Sequence, residues 1–460
     1  MIEDTITAIA TPIGTGGIGI IRLSGSNSLA IADKMFNSWN EVKVHEIPSF
    51  NLRLGYVIDP GDGEVFDEVL LSVMRAPKSF TGEDVVEINC HGGPIVMEKI
   101  LRLTLELGAR MAEAGEFTKR AFLNGRIDLA QAEAVIDVIE AKTDLALGVA
   151  VNQLHGNISE RIGYLQKRLV SVLAQMEASI DFPEDVGEID CSETRRILLN
   201  IKETIHSMIA EGQRGKILRE GLTTVIIGKP NVGKSSLLNA LVKENRAIVT
   251  EFPGTTRDAI EEVINLDGLP LRIVDTAGIR ETGDVVEKIG VDRAKKLLAE
   301  ADLVLFVVDA ATMLTEDDKL IARELNKDNT IVLLNKHDLK NIEMTERFIN
   351  ETLPEFQSLK ISAKEKWGLD KLPILIRDKV FGNNIVAKDR NIVTRSRHLS
   401  ALNKAVNYLN EAINGLENGN MVDLLTIDIR GAWDSLGEIT GETIAEDVLN
   451  TIFKEFCIGK

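Results

Sequence analysis

Residues 228 to 235 read Gly-Lys-Pro-Asn-Val-Gly-Lys-Ser, two glycines bracketing four residues ahead of Lys234 and Ser235. Glycines at those positions let backbone N–H groups turn towards a phosphate, and a helix starting at the loop's end adds a positive field. The apolar run Thr224 to Ile227 predicts a short buried strand before the loop. Ser235 to Lys243, with Leu237, Leu238 and Leu241 on one face, predicts a helix after it. In that setting Lys234 reaches β and γ oxygens of a nucleotide, and the Ser235 hydroxyl binds Mg²⁺.

Three more motifs follow in order: Asp275-Thr276-Ala277-Gly278, Asn335-Lys336-His337-Asp338 and Ser362-Ala363-Lys364. Asp275 ends a strand-like run from Leu271, where its carboxylate can reach the magnesium through water while the Gly278 amide meets the γ-phosphate. Asp338, ionised, accepts from guanine N1–H and the exocyclic amine, a donor pair that adenine lacks. A pocket that must satisfy a carboxylate discriminates strongly, because the wrong base leaves that charge unpaired. Ser362 to Lys364 closes over the base through the Ala363 amide. Taken together, the four motifs imply a site that binds and hydrolyses GTP.

Between the first two motifs, Arg246 to Asp258 is polar and contains Gly and Pro, as a loop that senses the γ-phosphate requires. Thr256 is its candidate second Mg²⁺ ligand. Ile260 to Leu266 and Leu271 to Asp275 flank Asp267-Gly268, a hairpin signal, so one antiparallel pair is expected in a mainly parallel sheet. Ile279 stands where a Ras-like site carries the glutamine that orients the attacking water. The residues alone leave that role open among Arg257, a bound monovalent cation, and a carboxylate such as Glu281 or Glu287.

The elements that must hold these groups suggest a multidomain chain. Residues 1–120 mix short strands such as Gly19 to Leu23 and Val85 to Cys90 with a helix from Pro94 to Leu107, and predict an α+β domain. Residues 121–214 and 384–460 show helical periodicity, with Leu129, Ala132, Val135 and Ile136 on one stripe and Leu402, Ala405, Leu409 and Ile413 on another. Two stripes needing partners predict one discontinuous α-helical bundle, with a Ras-like α/β P-loop GTPase domain, residues 215–383, inserted between its halves. Inserted domains have ends that lie close together, so residues near 215 and 383 are expected to be neighbours.

At 460 residues the chain is long enough for two or three cores. Its 71 acidic and 53 basic residues leave a net charge of −18, which opposes a broad nonspecific nucleic-acid surface. Cys90, Cys191 and Cys457 form no close pair and no Cys-x-x-Cys, so neither a disulfide framework nor a zinc site is suggested. Without a signal-like start or a long apolar run, a cytoplasmic protein with no membrane partner is expected.

The central motifs resemble the TrmE-Era-EngA group of GTPases. Three further segments are similar to the MnmE (TrmE) family of tRNA-modifying GTPases: Ala10 to Gly25, Ser79 to Gly93, and the ending Phe456-Cys457-Ile458-Gly459-Lys460. The resemblance covers essentially the whole chain. It implies a K⁺ ion beside the phosphate loop, held by Asn231 and oxygens of Thr250, Phe252 and Thr255, and a water-positioning carboxylate at Glu287. Together with the motifs it gives a candidate GTP-binding set. That set is Asn231, Val232, Gly233, Lys234, Ser235 and Ser236; Thr250, Glu251, Phe252, Pro253, Gly254, Thr255 and Thr256; Asp275, Thr276, Ala277 and Gly278; Asn335, Lys336 and Asp338; and Ser362, Ala363 and Lys364.

In the N-terminal part, His91-Gly92-Gly93-Pro94 follows a strand and opens a helix, which by itself reads as a plain turn. The resemblance implies a site there for 5-formyltetrahydrofolate or a related one-carbon folate, at Arg22, Glu87, Arg126 and Lys460. Arg126 stands where related chains carry lysine, and its planar fork is not equivalent to a point charge. Cys457 reads by default as a buried small residue, and its family position raises a redox or nucleophilic role. Also implied are a homodimer through the N-terminal domain, a flavin-dependent partner of the MnmG (GidA) type, and a tRNA substrate modified at C5 of its wobble uridine. The rival is an RNA-binding switch in ribosome assembly of the Era or EngA kind. It needs a basic RNA-binding module, and the net charge supports none.

Overall fold

The computed structural model describes residues 4–187, 189–245, 262–274, 297–312, 315–339, 353–381 and 392–460. The chain divides into two compact units, one formed by Met1–Ile136, Leu154–Ser171 and Trp433–Lys460, the other by Asp137–Gln153 and Val172–Ala432.

The first unit is built on β1 (Ile6–Ile9), β2 (Gly19–Ser24), β3 (Phe36–Ser38), β4 (Asn51–Ile58), β5 (Val65–Met74), β6 (Val85–Cys90) and β7 (Arg110–Met111). They form one sheet in the order β3-β4-β5-β6-β2-β1-β7, antiparallel except where β7 joins β1. Alternation sets its faces: Ile21, Leu23, Val69, Leu71, Val73, Val86 and Ile88 point inward. Helices α1 (Ser28–Met35) and α2 (Pro94–Glu106) cover them, α2 through Met97, Ile100 and Leu103 at helical spacing. Pro94 at the first helical position suits α2, because that turn has no intrahelical partner for its N–H.

Helix α3 (Glu116–Leu123) carries Arg120, fully buried yet multiply paired. Its Nη2 lies 2.6 Å from Asp4 Oδ1 and 3.0 Å from Glu116 Oε1, and its Nη1 3.3 Å from Glu83 Oε2. A buried guanidinium is tolerable only with such partners. Ala121 of α3 and Leu129, Ala132 and Ile136 of α4 (Leu129–Glu140) pack with Ile452 and Phe453 near the chain's end.

After α5 (Asp144–Leu154), α6 (Asn157–Asp181) and the short α7 (Pro183–Val186), the second unit's helix α8 (Cys191–Glu220) leads directly into β8 (Leu222–Ile227). Then come α9 (Lys234–Asn245), β9 (Glu262–Leu266), β10 (Leu269–Ile273), β11 (Leu303–Asp309), α10 (Glu316–Arg323), β12 (Thr330–Asn335), β13 (Gln357–Lys360) and α11 (Leu372–Phe381). The sheet order is β13-β12-β11-β8-β10-β9, parallel throughout except for the β9–β10 hairpin. Asp267 and Gly268 both take left-handed φ, 50° and 86°, as a tight hairpin turn requires. Strands β8, β11 and β12 are buried on both faces and read as near-continuous apolar runs. Leu303, Leu305 and Val307 share a core with Leu237, Leu238 and Leu241 of α9 and Leu372 and Ile376 of α11. Phe306 and Val308 meet Ala322 of α10 on the other side.

Helix α8 packs along α12 (Ser396–Glu417), which α13 (Val422–Thr440) and α14 (Glu446–Lys454) follow in the chain. Gly212 and Gly215 make the approach of α8 close, because a Cβ at Gly215 would strike the Val393 carbonyl. Residue 383 lies outside the described residues, and Val393 is the part of the returning chain that meets Gly215.

Candidate functional sites: a nucleotide pocket and a polar cluster at the chain's end

The phosphate-loop sequence lies between the end of β8 and the start of α9. Gly228 and Gly233 have φ of 146° and 102°, and Asn231 is left-handed at 64°. Each glycine also lacks room for a side chain, since a Cβ would meet the Val307 carbonyl at Gly228 and Asn335 Nδ2 at Gly233. Lys234 Nζ donates to the carbonyls of Gly228 (2.8 Å) and Lys229 (2.7 Å). Burial holds its pKa below the ordinary lysine value, because the surroundings disfavour the charged form. Val232 is buried in the core, which anchors the loop from below.

Asn335 ends β12 and is almost fully buried. Its Nδ2 donates to the Val232 carbonyl at 2.8 Å, and its Oδ1 accepts from the Ala363 amide at 2.9 Å. One side chain thus ties the phosphate loop, the 335–338 turn and the 362–364 turn together. Ser362 Oγ donates to Asp338 Oδ1 at 2.6 Å, and this bond is the main reason the Asp338 carboxyl sits below the usual range. Lys336 Nζ pairs with Asp309 Oδ2 at 2.7 Å.

The structure therefore gathers Val232, Gly233, Lys234, Asn335, Asp338, Ser362 and Ala363 at one end of the sheet, the carboxyl ends of its parallel strands. Ligands of open α/β sheets bind in that position. Asn231, Ser235, Ser236, Lys336 and Lys364 belong to the same loops and helix start. Thr250, Glu251, Phe252, Pro253, Gly254, Thr255, Thr256, Arg257, Asp275, Thr276, Ala277, Gly278, Ile279, Glu281 and Glu287 lie outside the described residues. Among the described residues no group of three or more His, Cys, Asp or Glu side chains is placed to hold a metal.

Sequence reasoning missed two supports of this pocket. Asp309 was legible as the single acid ending the apolar run Leu303 to Val308. The anchor of Lys229, which donates to Thr315 Oγ1 at 2.9 Å and pairs with Asp318, had only the capping pattern Thr315-x-x-Asp318 as its signal.

In the first unit Arg22 and Glu87 are direct cross-strand neighbours on β2 and β6. Arg22 Nε and Nη2 both lie 2.8 Å from Glu87 Oε1, Nη1 donates to the Gly459 carbonyl at 3.1 Å, and the guanidinium covers the Phe117 ring. The chain's end reaches this point because Ile458 bridges to Ala114 and the Gly115 amide donates to Cys457 O at 3.3 Å. Burial first, and the Arg22 charge second, hold the Lys460 amine below its ordinary pKa.

Arg126 is held elsewhere, with Nε on the Ser79 carbonyl at 2.8 Å and its plane over Phe80. Phe80 and Phe117 belong to one apolar cluster with Ile6, Ala8 and Ala112, so the two arginines cap rings of the same patch. Cys457 is exposed, which overturns its reading as a buried small residue: the Ile458–Ala114 bridge holds the chain's end by its backbone, and the side chains of Cys457 and Ile458 both remain open to solvent. The His91 to Pro94 turn is packed on its own chain, with Gly92 against Gly16 and the His91 amide on Asp67 Oδ2 at 2.7 Å.

Among the described residues no helix is long and apolar enough to cross a membrane. Family models describe residues 5–126 as "GTP-binding protein TrmE N-terminus" and residues 129–457 as "MnmE helical domain". The chain is 50% identical to a protein of Thermoanaerobacter pseudethanolicus and 48% identical to one of Desulforamulus reducens, each match covering 100% of both chains. It is 47% identical to a protein of Staphylococcus aureus strain Newman, over 99% of each chain. All three relatives are named "tRNA modification GTPase MnmE". With a parallel α/β sheet carrying a phosphate loop, an α+β N-terminal part, and likeness to these relatives from end to end, the chain belongs to the MnmE (TrmE) family of tRNA modification GTPases.

Proposed function

We propose that this chain hydrolyses GTP in a K⁺-dependent way and, with a flavin-dependent partner of the MnmG (GidA) type, adds a carboxymethylaminomethyl or aminomethyl group at C5 of uridine 34 of certain tRNAs. The observation that carries the nucleotide part is the double bond of Asn335 to Val232 and Ala363, which fixes phosphate loop and base turns as one unit. In this reading Asp338 accepts from the guanine edge and the Ala363 amide covers it. Lys234 exchanges its loop carbonyls for phosphate oxygens, and Ser235 and Thr256 would hold Mg²⁺. Glu287 orients the water that attacks the γ-phosphoryl group, and GDP leaves. Asn231, Thr250, Phe252 and Thr255 would hold a K⁺ ion, which would supply fixed positive charge where negative charge accumulates in the transition state.

We assign residues 215–383 to an inserted GTPase domain, 121–214 and 384–460 to the helical domain, and 1–120 to a domain for folate binding and dimerisation. Arg22, Glu87, Arg126 and Lys460 suit a folate: cations for its carboxylates, an acceptor for the pterin amide and amine, and aromatic faces at Phe117 and Phe80. Homodimerisation is supported by the outward side of β4 and β5, where exposed Leu54 stands directly opposite exposed Leu70 and next to exposed Leu52. The test is GTP turnover with Mg²⁺ in K⁺ and in Na⁺ at equal ionic strength. Strong K⁺ dependence supports the Asn231 cation site, and equal rates sink it.

A further inference from the structure

The residue between Lys336 and Asp338 and the residue that closes the Ser362 turn are both aromatic, and they face each other. The His337 and Trp367 rings are stacked, with centroids 5.2 Å apart and planes at 23°. Backbone bonds fix the points from which the rings project. The His337 amide donates to the Ile361 carbonyl at 3.1 Å, while Ser362 and Trp367 exchange amide-to-carbonyl bonds at 2.9 and 3.1 Å. Trp367 is 53% exposed, so this indole is not core packing. The backbone on both sides of the contact is also held in a conformation that non-glycine residues rarely adopt, with φ of 65° at Lys336 and 57° at Lys366.

The geometry points to a positioning role: the His337–Trp367 stack clamps the Ser362 turn onto the Asn335 turn and so sets the spacing of Asp338 and the Ala363 amide around guanine. This inference rests on the guanine-binding reading above. In this role neither ring needs to contact the base. Each acts through the backbone next to it, His337 through Asp338 and Trp367 through Ser362, whose Oγ reaches Asp338 Oδ1. Guanine recognition needs both carboxylate oxygens at once, one for N1–H and one for the 2-amine, so a looser spacing costs the amine contact first. Hypoxanthine lacks that amine, and loosening the clamp narrows the preference for guanine over it.

The test uses the full-length chain, measuring Kd for GDP and for IDP by calorimetry. Trp367→Ala and His337→Ala are each expected to weaken GDP about fivefold, the worth of an aromatic pair, and to lower the GDP/IDP preference. Their double variant is expected to be no weaker than the weaker single one. Trp367→Phe and His337→Phe retain a ring and are expected to stay within about twofold of the parent. The proposal is overturned if Trp367→Ala binds GDP like the parent, if the two losses multiply, or if the Phe variants are as weak as the Ala variants. Asp338→Asn tested with xanthosine diphosphate keeps the two levels apart. A gain of that ligand alongside unaltered GDP binding in Trp367→Ala overturns the clamp alone, whereas no gain overturns the base-pocket assignment beneath it.

Discussion

Asp137 and Arg395 form a buried ion pair, Oδ1 to Nη2 at 2.7 Å, and the same carboxylate oxygen lies 2.9 Å from Nε of Arg219. Arg219 lies in the last turn of α8, just before β8, and Arg395 stands just ahead of α12. One acid therefore fastens the chain where it goes out to the nucleotide-binding sheet and where it comes back. Asp137→Ala leaves the Arg395 guanidinium buried and without that carboxylate, at a cost of ~3 kcal/mol. Arg219 is more exposed, and Arg219→Ala costs ~1 kcal/mol. Urea unfolding followed by circular dichroism checks both, and equal small effects for the two variants contradict the assignment.

Asn335→Ala removes two hydrogen bonds in a buried place and leaves the Val232 carbonyl and the Ala363 amide without this partner. A loss of ~2 kcal/mol in stability follows from the desolvation of those groups. GDP affinity is expected to fall at least about tenfold as the loops lose their common anchor. Calorimetric titration and thermal melting read the two effects separately.

Acid stability of the first unit is set in part by the Arg110–Arg120 cluster. Burial pushes Asp4 up, but hydrogen bonds from Arg110 and Arg120 more than offset it and leave the carboxyl below 3.8. Glu116 is likewise pushed up by burial and brought below 4.5 by Arg110, the Glu113 amide and Arg120. Depressed carboxyls stabilise the fold fully above their unfolded values and lose that contribution as pH falls through the folded ones. Glu116→Gln is therefore expected to lower stability at pH 7 and to flatten its decline below about pH 4.5, measured as urea midpoints across pH 3 to 7.

The thiols divide by environment. Cys191 and Cys457 are exposed, whereas Cys90 is buried and donates to the Gly19 carbonyl at 3.3 Å. Burial, with the Asp67 charge adding to it, pushes the Cys90 thiol up to about 11. Iodoacetamide at pH 8 is expected to label Cys191 and Cys457 in the native protein and Cys90 only after unfolding, as peptide mass mapping would show.

The sequence made the parallel sheet and its single hairpin legible, because Thr224 to Ile227 and Ile331 to Leu334 are uninterrupted apolar runs and Asp267-Gly268 is a turn of known demand. The phosphate loop was legible for the same reason: glycine, lysine and serine at fixed spacing have few other uses. Cross-chain partnerships were not. Arg22 opposite Glu87 depends on the β2–β6 register, and Asp137 with Arg395 on helix packing, neither of which periodicity encodes. Exposure of Cys457 escaped for a related reason, since a small apolar-like residue says nothing of which side of a docked tail it occupies.

Lys234 donates to two carbonyls of its own loop, so its ammonium group already has hydrogen-bond acceptors. An anion must outbid two well-placed acceptors before it gains anything from that charge. Free inorganic phosphate would bring few further contacts to offset the exchange, whereas a nucleotide bound as proposed would also collect the loop amides and, through its base, the Asp338 pocket. On the proposed reading, the two loop carbonyls that hold Lys234 would favour a nucleotide over the small anions of a cell.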